Sequence, residues 1–435
     1  MRCPSRLFLL SCALALLSSA SAAAGESRVI TVDEAVALAI GQNAALQAAR
    51  ARLEGGQAVA SSTARHLAPA IHLSDEFQHY NSAFIVPMGT QGVFPVRKQD
   101  TNMFTVAADQ PLLGLLRLSQ DYSGQETNAE AGAAQVQSAE LSLRQAVETL
   151  YLRVFEAKAL EETALASERE LTDRLEVARA QLATGVLTEA DVLRVQVAAA
   201  NARQQAIQAH SQGLVARASL LVLIGLPADD AGVTLVEPSS LLASGEKTPE
   251  AAAAQNQALS GRPEILQTRL TLQAGEHQRR ARLYALLPDI DLEGAYMRSY
   301  GQIILPTNSA FIGLNAKWAI WEWGASYAAY RASQAQARAA EFDLENQKQQ
   351  IRAEVTSTMA QLDAAASAIS VAEQAIASAQ EAYRVTDAQL QAGTATTTDL
   401  LEAQSALTQA RLNYLRAQYE LAISRVNLRR ALGQQ

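Results

Sequence analysis

The sequence predicts a mainly α-helical chain with some β-structure, built as a tandem duplication of one unit. Hydrophobic residues make up 49% of the 435 residues but aromatic residues only 5%, because most of the apolar residues are alanine and leucine. Proline is absent between Pro111 and Pro227 and again after Pro306, and two separated stretches of the chain repeat each other. Small, helix-favouring residues in long proline-free stretches indicate long helices that pack closely.

The charge and the chemical groups of the chain exclude several classes of protein. The formal charge of −8 argues against nucleic-acid binding, which needs a basic face. The sequence contains no glycine-rich phosphate loop, no nucleophile elbow and no cluster of cysteine and histidine. We therefore expect no cofactor, no bound metal and no enzymatic activity.

Residues 1–24 have the pattern of a secretory signal peptide. Basic residues precede an apolar stretch at 7–17, and small residues follow it, with cleavage expected after Ala22 or Ala24. A retained anchor is the alternative, but the apolar run is short for a bilayer span. Lipidation of Cys12 is disfavoured because apolar residues continue beyond it.

Two gapless matches define the duplication. Residues 46–73 align with 265–292, and residues 181–225 align with 389–433. A stretch rich in proline, serine and glycine separates the two copies. The predicted segments are a signal peptide at 1–24, a first repeat at 25–235, a linker at 236–249 and a second repeat at 250–435.

Each copy has the same predicted order of elements: an opening helix, two strands and a long helical hairpin. The opening helices are predicted over 31–65 and 248–287. After each of them, two segments alternate apolar and polar side chains with period two, which is typical of a strand with one apolar and one polar face. The four predicted strands are 71–78, 104–109, 290–299 and 312–320.

Four strands cannot close a barrel in a membrane. An open sheet in lipid would leave backbone groups unpaired, at several kcal/mol each. If the sheet lies in a membrane, several chains must share one barrel, and three chains would give an even number of strands, twelve. The alternation alone leaves an ordinary soluble sheet with one buried face as an equal alternative.

The predicted long helices favour the shared barrel. One helix is expected from Leu115 to Ala183, which is roughly 100 Å at 1.5 Å per residue and too long for a globular domain. The last helix has a heptad seam with one row of large residues and one row of small residues. Such a seam suits helices packed side by side in the wall of a tube. The two rows are Leu400, Leu407, Tyr414, Leu421 and Leu428, and Ala403, Ala410, Ala417 and Ser424.

Four sets of residues along the chain together resemble one protein family. They are the turn-and-helix pair Gly185-Val186-Leu187-Thr188…Asp191 and Gly393-Thr394-Ala395-Thr396…Asp399, with Gly261-Arg262-Pro263-Glu264-Ile265, Leu287-Pro288-Asp289-Ile290 and Trp318-Ala319-Ile320-Trp321-Glu322-Trp323-Gly324. The chain resembles the TolC-like outer-membrane efflux and secretion channels over essentially its whole mature length. It departs from the family at Trp321, Glu322 and Trp323, near which the family usually has Phe-Asp-Gly-Gly.

This resemblance implies a homotrimer in the outer membrane of a Gram-negative bacterium. Its twelve strands would form one barrel in the lipid, and its helices would continue that barrel as a tunnel through the periplasm. The implied function is the passive exit channel of a tripartite efflux or type I secretion system. The tunnel would open at the helix tips when a periplasmic adaptor and an inner-membrane pump dock.

The resemblance also implies which residues act at the tips. Asp399 and Glu402 match an acidic pair around the narrow aperture, and their spacing puts both on one helix face. Three copies of this pair on a symmetry axis would favour cations and bind divalent ions. The turns that match the adaptor contacts are Gly185, Val186, Leu187 and Thr188, and Gly393, Thr394, Ala395 and Thr396.

Asp191 matches a carboxylate that helps to hold the family's tip closed. Its usual arginine partner aligns with Ala395 here, which leaves the closing contact of this tip undefined. Asp191 and Asp399 have an alternative role, since an acid near a helix N-terminus stabilises the helix dipole.

A secreted enzyme such as a hydrolase is one alternative class of protein, but it would need convergent acids in a compact fold, which a 69-residue helix disfavours. A periplasmic coiled-coil adaptor is the other alternative. It too combines a signal peptide with long helical hairpins. It would need a single hairpin flanked by soluble β-modules, however, whereas this sequence predicts a duplicated hairpin with two pairs of strands.

Overall fold

A computed structural model describes residues 28–89, 92–243 and 249–434. The predicted signal peptide, with Cys3 and Cys12, lies outside these residues. The described chain is mainly helical with a smaller share of strands, as predicted.

The two halves of the chain contain the same order of principal elements, which confirms the tandem duplication. The first half contains β1 (Arg28–Ile30), α1 (Val32–Gln42), α2 (Ala44–Arg65), β2 (Ala70–His79), β3 (Phe84–Pro87), β4 (Val93–Pro111), α3 (Gly114–Ala183), α4 (Glu189–Leu223) and β5 (Val233–Leu235). The second half contains α5 (Ser239–Leu242), α6 (Ala251–Gly261), α7 (Pro263–Tyr284), β6 (Asp289–Gln302), β7 (Asn308–Lys317), α8 (Ala325–Gln391) and α9 (Thr397–Ala431).

The opening helix of each half is broken in two, which the sequence analysis did not predict. In the first half, Asn43 ends α1 and caps α2, because its side-chain oxygen accepts hydrogen bonds from the backbone N–H groups of Ala45 and Leu46. In the second half, Pro263 is the first residue of α7, and Arg262 before it is extended. A residue that precedes proline disfavours the α conformation, so a single helix cannot run through this point.

The four predicted strands form one antiparallel sheet in the order β2-β4-β6-β7. The predicted bounds were wrong at several points, and β4 begins at Val93 instead of residue 104. A short extra strand, β3, pairs with the first residues of β4. The last strand ends at Lys317 instead of continuing through Ile320, because Lys317 pairs with Asp289, where β6 begins, and later residues have no partner strand.

The long helices form two antiparallel hairpins, α3 with α4 and α8 with α9, and we call these two hairpins the rods. α3 has 70 residues, as predicted to within one residue, and spans roughly 105 Å. α3 also contacts α2, α7 and α9 along its length. The predicted seam of α9 is largely buried: Leu400, Leu407, Leu428, Ala410, Ala417 and Ser424 are buried, and Ala403, Tyr414 and Leu421 are half-buried.

A small parallel ribbon joins the beginning of the first repeat to its end. β1 pairs with β5, and the hydroxyl of Tyr151 on α3 lies 2.9 Å from the carbonyl oxygen of Ile30 and 2.6 Å from that of Val236. Tyr151 is fully buried in the largest apolar core of the chain, which also contains Leu152 and Leu220. The ribbon therefore attaches the middle of α3 to the beginning and the end of the first repeat.

None of the helices in the described part of the chain combines the length and the apolar character that a membrane-spanning helix needs.

Candidate functional site

The two turns at the ends of the hairpins have the same backbone structure. After α3, the N–H of Val186 donates to the carbonyl of Gln181 and the N–H of Gly185 to that of Leu182, a Schellman motif. The turn after α8 repeats both bonds at the matching positions. Gly185 and Gly393 have φ values of 77° and 74°, a conformation that glycine adopts without strain.

The second half of each turn is a capping box. Thr188 accepts a hydrogen bond from the N–H of Asp191 and donates to its carboxylate at 2.6 Å, and Thr396 does the same with Asp399 at 2.7 Å. These threonines also donate their backbone N–H groups to the carboxylates, at 3.2 and 2.8 Å. The bonds lower the pKa of both aspartates, chiefly the side-chain bond at Asp191 and the backbone bond at Asp399.

Asp191 and Asp399 each take part in a capping box at a helix N-terminus, which is the alternative role given for them above. Asp191 also accepts a bond from Arg194, 3.3 Å away and three residues later on the same helix. The sequence did not predict this contact of Asp191 with Arg194. Glu402 is exposed and takes no part in the cap.

The predicted adaptor-contact residues are mostly exposed. In the first turn Gly185, Val186 and Thr188 are exposed, whereas Leu187 is half-buried against the apolar cluster formed by α3 and α4. In the second turn Gly393, Thr394 and Thr396 are exposed and Ala395 is half-buried. The structure brings each turn's residues together at one end of its hairpin.

A polar network links the two hairpins near these turns, and the sequence analysis missed it. Arg174 on α3 donates from Nη2 to Asp387 and to the hydroxyl of Tyr383 on α8, both at 3.1 Å. Tyr383 in turn donates to Glu170 at 2.9 Å, and Gln391 donates to Asp387 at 2.9 Å. Burial and the hydrogen bond to Glu170 raise the pKa of Tyr383. We call these five residues the inter-hairpin network.

A groove of about 500 Å³ lies beside the network, between the ends of the hairpins. Both repeats contribute to it, and its lining combines charged and apolar groups. The lining residues include Arg174, Asp173, Val177, Ala178, Val186, Leu187, Val195, Asp387, Leu390, Thr397 and Leu400.

At the opposite end of the rods, the sheet has one mostly apolar and one mostly polar face, as the alternation predicted. Residues that are directly opposite in an antiparallel pair point to the same face, so the strand register defines each face. The apolar face carries Ile71, Leu73, Phe77, Phe104, Val106, Ile290, Leu292, Tyr296, Ile312 and Leu314, and the polar face carries His72, Ser74, Glu76, Gln78, Asp109, Asp291, Glu293, Asn315 and Lys317. On the apolar face Ile312 keeps 85% of its surface exposed and Ile71 keeps 75%.

A cluster of tryptophans lies where the sheet joins the rods. Trp321 and Trp323 contact each other edge to face with ring centroids 5.7 Å apart, and Trp318 donates from its indole to the carbonyl of Leu286. Trp323 is 89% exposed. Trp323 and Gly324 both have positive φ values, 52° and 81°, where the chain turns into α8.

Among the residues that the structure describes, no group of three or more acidic or histidine side chains converges in a way that could hold a metal ion. His72 and His79 lie on opposite faces of β2, each paired with an aspartate of β4.

Comparison with known proteins places both halves of the chain in one family. The family model described as outer membrane efflux protein matches residues 35–226 and 254–434. The outer membrane efflux protein BepC of Brucella suis biovar 1 (strain 1330) is 26% identical over 298 residues. That match spans 67% of this chain and 63% of BepC, less than two thirds of the relative's length.

Solved structures share the fold at low sequence identity. CusC superposes with a TM-score of 0.82 at 18% identity, covering 93% of this chain and 92% of CusC. VceC from Vibrio cholerae gives 0.81 at 18% identity, with 93% and 96% covered. The open state of the Neisseria gonorrhoeae MtrE outer membrane channel gives 0.78 at 19% identity, with 93% and 89% covered.

Proposed function

This chain belongs to the outer membrane efflux protein family, and on that basis we propose that it forms a passive exit channel of a tripartite efflux or type I secretion system. One observation carries the proposal: an open sheet with an exposed apolar face stands at one end of two rods long enough to cross a periplasm. The combination favours a channel over a periplasmic adaptor, for which an apolar sheet face turned to solvent would be a liability.

The channel is a homotrimer. β2 and β7 are the edges of the sheet within the described chain, and an open edge in lipid is too costly to persist. Four principal strands from each of two copies would make eight, and a barrel of about eight strands has an interior filled by side chains. Three copies give twelve strands and are the smallest set that leaves an open lumen.

The faces of the sheet fit this arrangement. The apolar face contacts outer-membrane lipid, and the polar face lines the lumen. Trp318, Trp321 and Trp323 lie at the border between sheet and rods, where amphipathic rings anchor a barrel at the membrane interface. The rods then extend into the periplasm.

The hairpin turns are the docking and gating end. The exposed turns 185–188 and 393–396 contact a periplasmic adaptor, which couples the channel to an inner-membrane pump. Asp399 and Glu402 surround the aperture, where three copies concentrate negative charge and favour cations. Asp191 lies at the same end of the hairpin, where it contacts Arg194.

The inter-hairpin network supplies a closing contact that does not need an arginine at position 395. It ties α3 of the first repeat to α8 of the second within one chain. The pump supplies the energy for transport, and the chain itself catalyses no reaction.

Two measurements test this function. We expect the protein to fractionate with the outer membrane and to migrate in SDS as a heat-modifiable oligomer. Purified in detergent, it should produce discrete conductance steps in planar bilayers. A protein that is monomeric and dissolves freely without detergent would contradict the proposal.

A further inference from the structure

An unpaired arginine lies on the lipid-facing side of the sheet. Arg298 is on β6, two residues from Tyr296 and two from Tyr300, and the register places it opposite Phe104 of β4 and Asn308 of β7. Its side chain is exposed. Within the described chain no hydrogen bond or ion pair engages it, although a cation on this face is expensive to leave in hydrocarbon.

A second cation lies on the same face next to it. The Nζ atom of Lys98 is 4.9 Å from the ring centroid of Tyr300, so the ammonium packs over that ring. Lys98 is exposed and likewise has no acidic partner among the described residues. Arg298, Lys98, Tyr296 and Tyr300 together form what we call the rim cluster.

The rim cluster lies in the last rows of the apolar face, at the end of the sheet away from the rods. The row before Arg298 contains Leu73, Val106 and Tyr296, and the row after it contains Phe77, Asn102 and Tyr300. The apolar residues of β2 therefore end at Phe77, one row beyond Arg298, and the next pair is His79 with Asp100.

The two carboxylates on this face do not contact these cations. Asp75 accepts a 2.6 Å hydrogen bond from Asn102, and Asp100 is paired with His79 at 2.6 Å. Neither acid forms an ion pair with Arg298 or Lys98, so the N–H donors of both cations remain available to a ligand.

We propose that the rim cluster binds the phosphate of a phosphorylated lipid headgroup at the outer edge of the barrel. The guanidinium of Arg298 offers a planar fork that matches two phosphate oxygens, and Lys98 adds a second positive charge. Tyr296 and Tyr300 flank the site as interfacial rings. The inference rests on the proposed function, because only the barrel places this face against lipid.

The test uses the full-length protein in detergent with three probes: bisphosphorylated lipid A, the same lipid dephosphorylated, and inorganic phosphate. Each basic residue near an anionic lipid surface contributes about fivefold in affinity. We therefore expect wild-type protein to bind the bisphosphorylated lipid about thirtyfold more tightly than the dephosphorylated lipid. Arg298→Gln with Lys98→Gln should remove this preference.

A matched variant controls for the loss of two positive charges. Arg203→Gln with Lys348→Gln removes one arginine and one lysine from the rods, where neither belongs to the rim cluster, and should bind as wild type. The inference is overturned if wild type binds both lipids equally, or if the rim variant retains the preference. It is also overturned if millimolar inorganic phosphate alone occupies the site as strongly as the lipid.

The same preparations separate this inference from the proposed function. Each sample is run in SDS and measured in planar bilayers before binding is assayed. An oligomeric channel without any headgroup preference refutes the rim site alone, whereas a monomer without conductance refutes the channel.

Discussion

Arg174 and Asp387 join the two repeats near the hairpin tips, with 3.1 Å between Nη2 of the arginine and Oδ1 of the aspartate. Their side chains are only 28% and 29% exposed, so solvent screens this pair less than it screens an ordinary surface pair. The contact crosses from α3 to α8, which belong to different hairpins. In a channel that opens by separating its hairpins, such a contact stabilises the closed form.

Asp387→Asn should loosen the tip. The substitution removes the charge that Arg174 faces and weakens the contact by about 1 kcal/mol, roughly fivefold in the ratio of open to closed forms. Single-channel recording in planar bilayers should show more time in a state of higher conductance. Glu381→Gln is the control, because its partner Arg384 lies on the same helix; equal behaviour of the two variants would rule out an inter-hairpin closing contact.

Glu402→Gln should weaken the block of the channel by divalent cations without weakening the fold. Glu402 is exposed and outside the cap, so its charge can act on ions without supporting the helix. Asp399→Asn should weaken the block too and also lower the stability of the fold, because it removes the charged partner of Thr396. The measurement is conductance as a function of divalent concentration, with Glu189→Gln as a control in the first turn of α4. If both Glu402→Gln and Asp399→Asn are blocked as strongly as wild type and the Glu189→Gln control, the aperture assignment fails.

Glu264→Gln should destabilise the protein by about 3 kcal/mol at neutral pH. Burial raises the pKa of Glu264, but the bonds from Arg262 and Ser138 outweigh it and bring the pKa to about 2. Arg430 is a further partner, 2.5 Å away. Since the pKa is depressed in the folded state, this stabilisation is complete above about pH 4.5 and is lost as the pH falls towards 2.

Chemical unfolding at pH 7 and at pH 3 checks this result. The difference between wild type and Glu264→Gln should shrink at the lower pH. Glu276→Gln on the same helix removes one member of an exposed pair with Arg280, and should cost less than about 1 kcal/mol. The prediction would be contradicted if Glu264→Gln lowered the free energy of unfolding by no more than Glu276→Gln does.

Tyr151→Phe should cost about 1 kcal/mol, since it removes a buried hydroxyl that forms hydrogen bonds with the backbone of Ile30 and Val236. The hydroxyl accepts a hydrogen bond from the N–H of Val236 at 2.9 Å. It also lies 2.9 Å from the carbonyl oxygen of Ile30 and 2.6 Å from that of Val236. Burial raises the pKa of Tyr151 to about 12, so its contribution persists up to about pH 10 and is lost above that. Unfolding measured by circular dichroism tests this. Tyr122→Phe on the same helix, whose hydroxyl contacts the exposed Glu126, is the control and should change little.

Features with a period or a local signature could be predicted from the sequence. The alternation in β2 and β6 arises because one face of the sheet is mostly apolar over the part nearer the rods. The heptads of α9 arise because one stripe of a long helix is buried. The glycine and threonine of each tip turn mark a Schellman motif followed by a capping box, both of which are set by residues within a few positions of each other.

Contacts between distant residues could not be predicted in the same way. Arg174 and Asp387 are 213 positions apart, and whether they meet depends on the rotation of two long helices about their axes. The break at Asn43 depends on an asparagine within an alanine-rich run, which is a weak signal beside the strong helical pattern. The strand β3 contains Pro87 and pairs only with the first part of β4, so its residues lack the alternation that identified the other strands.

The unlike edges of the sheet, β2 on one side and β7 on the other, have a consequence for mixed populations. A copy whose β7 cannot pair still joins a neighbouring copy through its β2. It therefore enters the ring of three copies and prevents their shared barrel from closing. With random mixing of equal amounts of sound and damaged copies, only roughly one ring in eight would be intact. Damage to this edge would therefore act dominantly in a cell that makes both forms, whereas a copy that failed to fold would merely be lost.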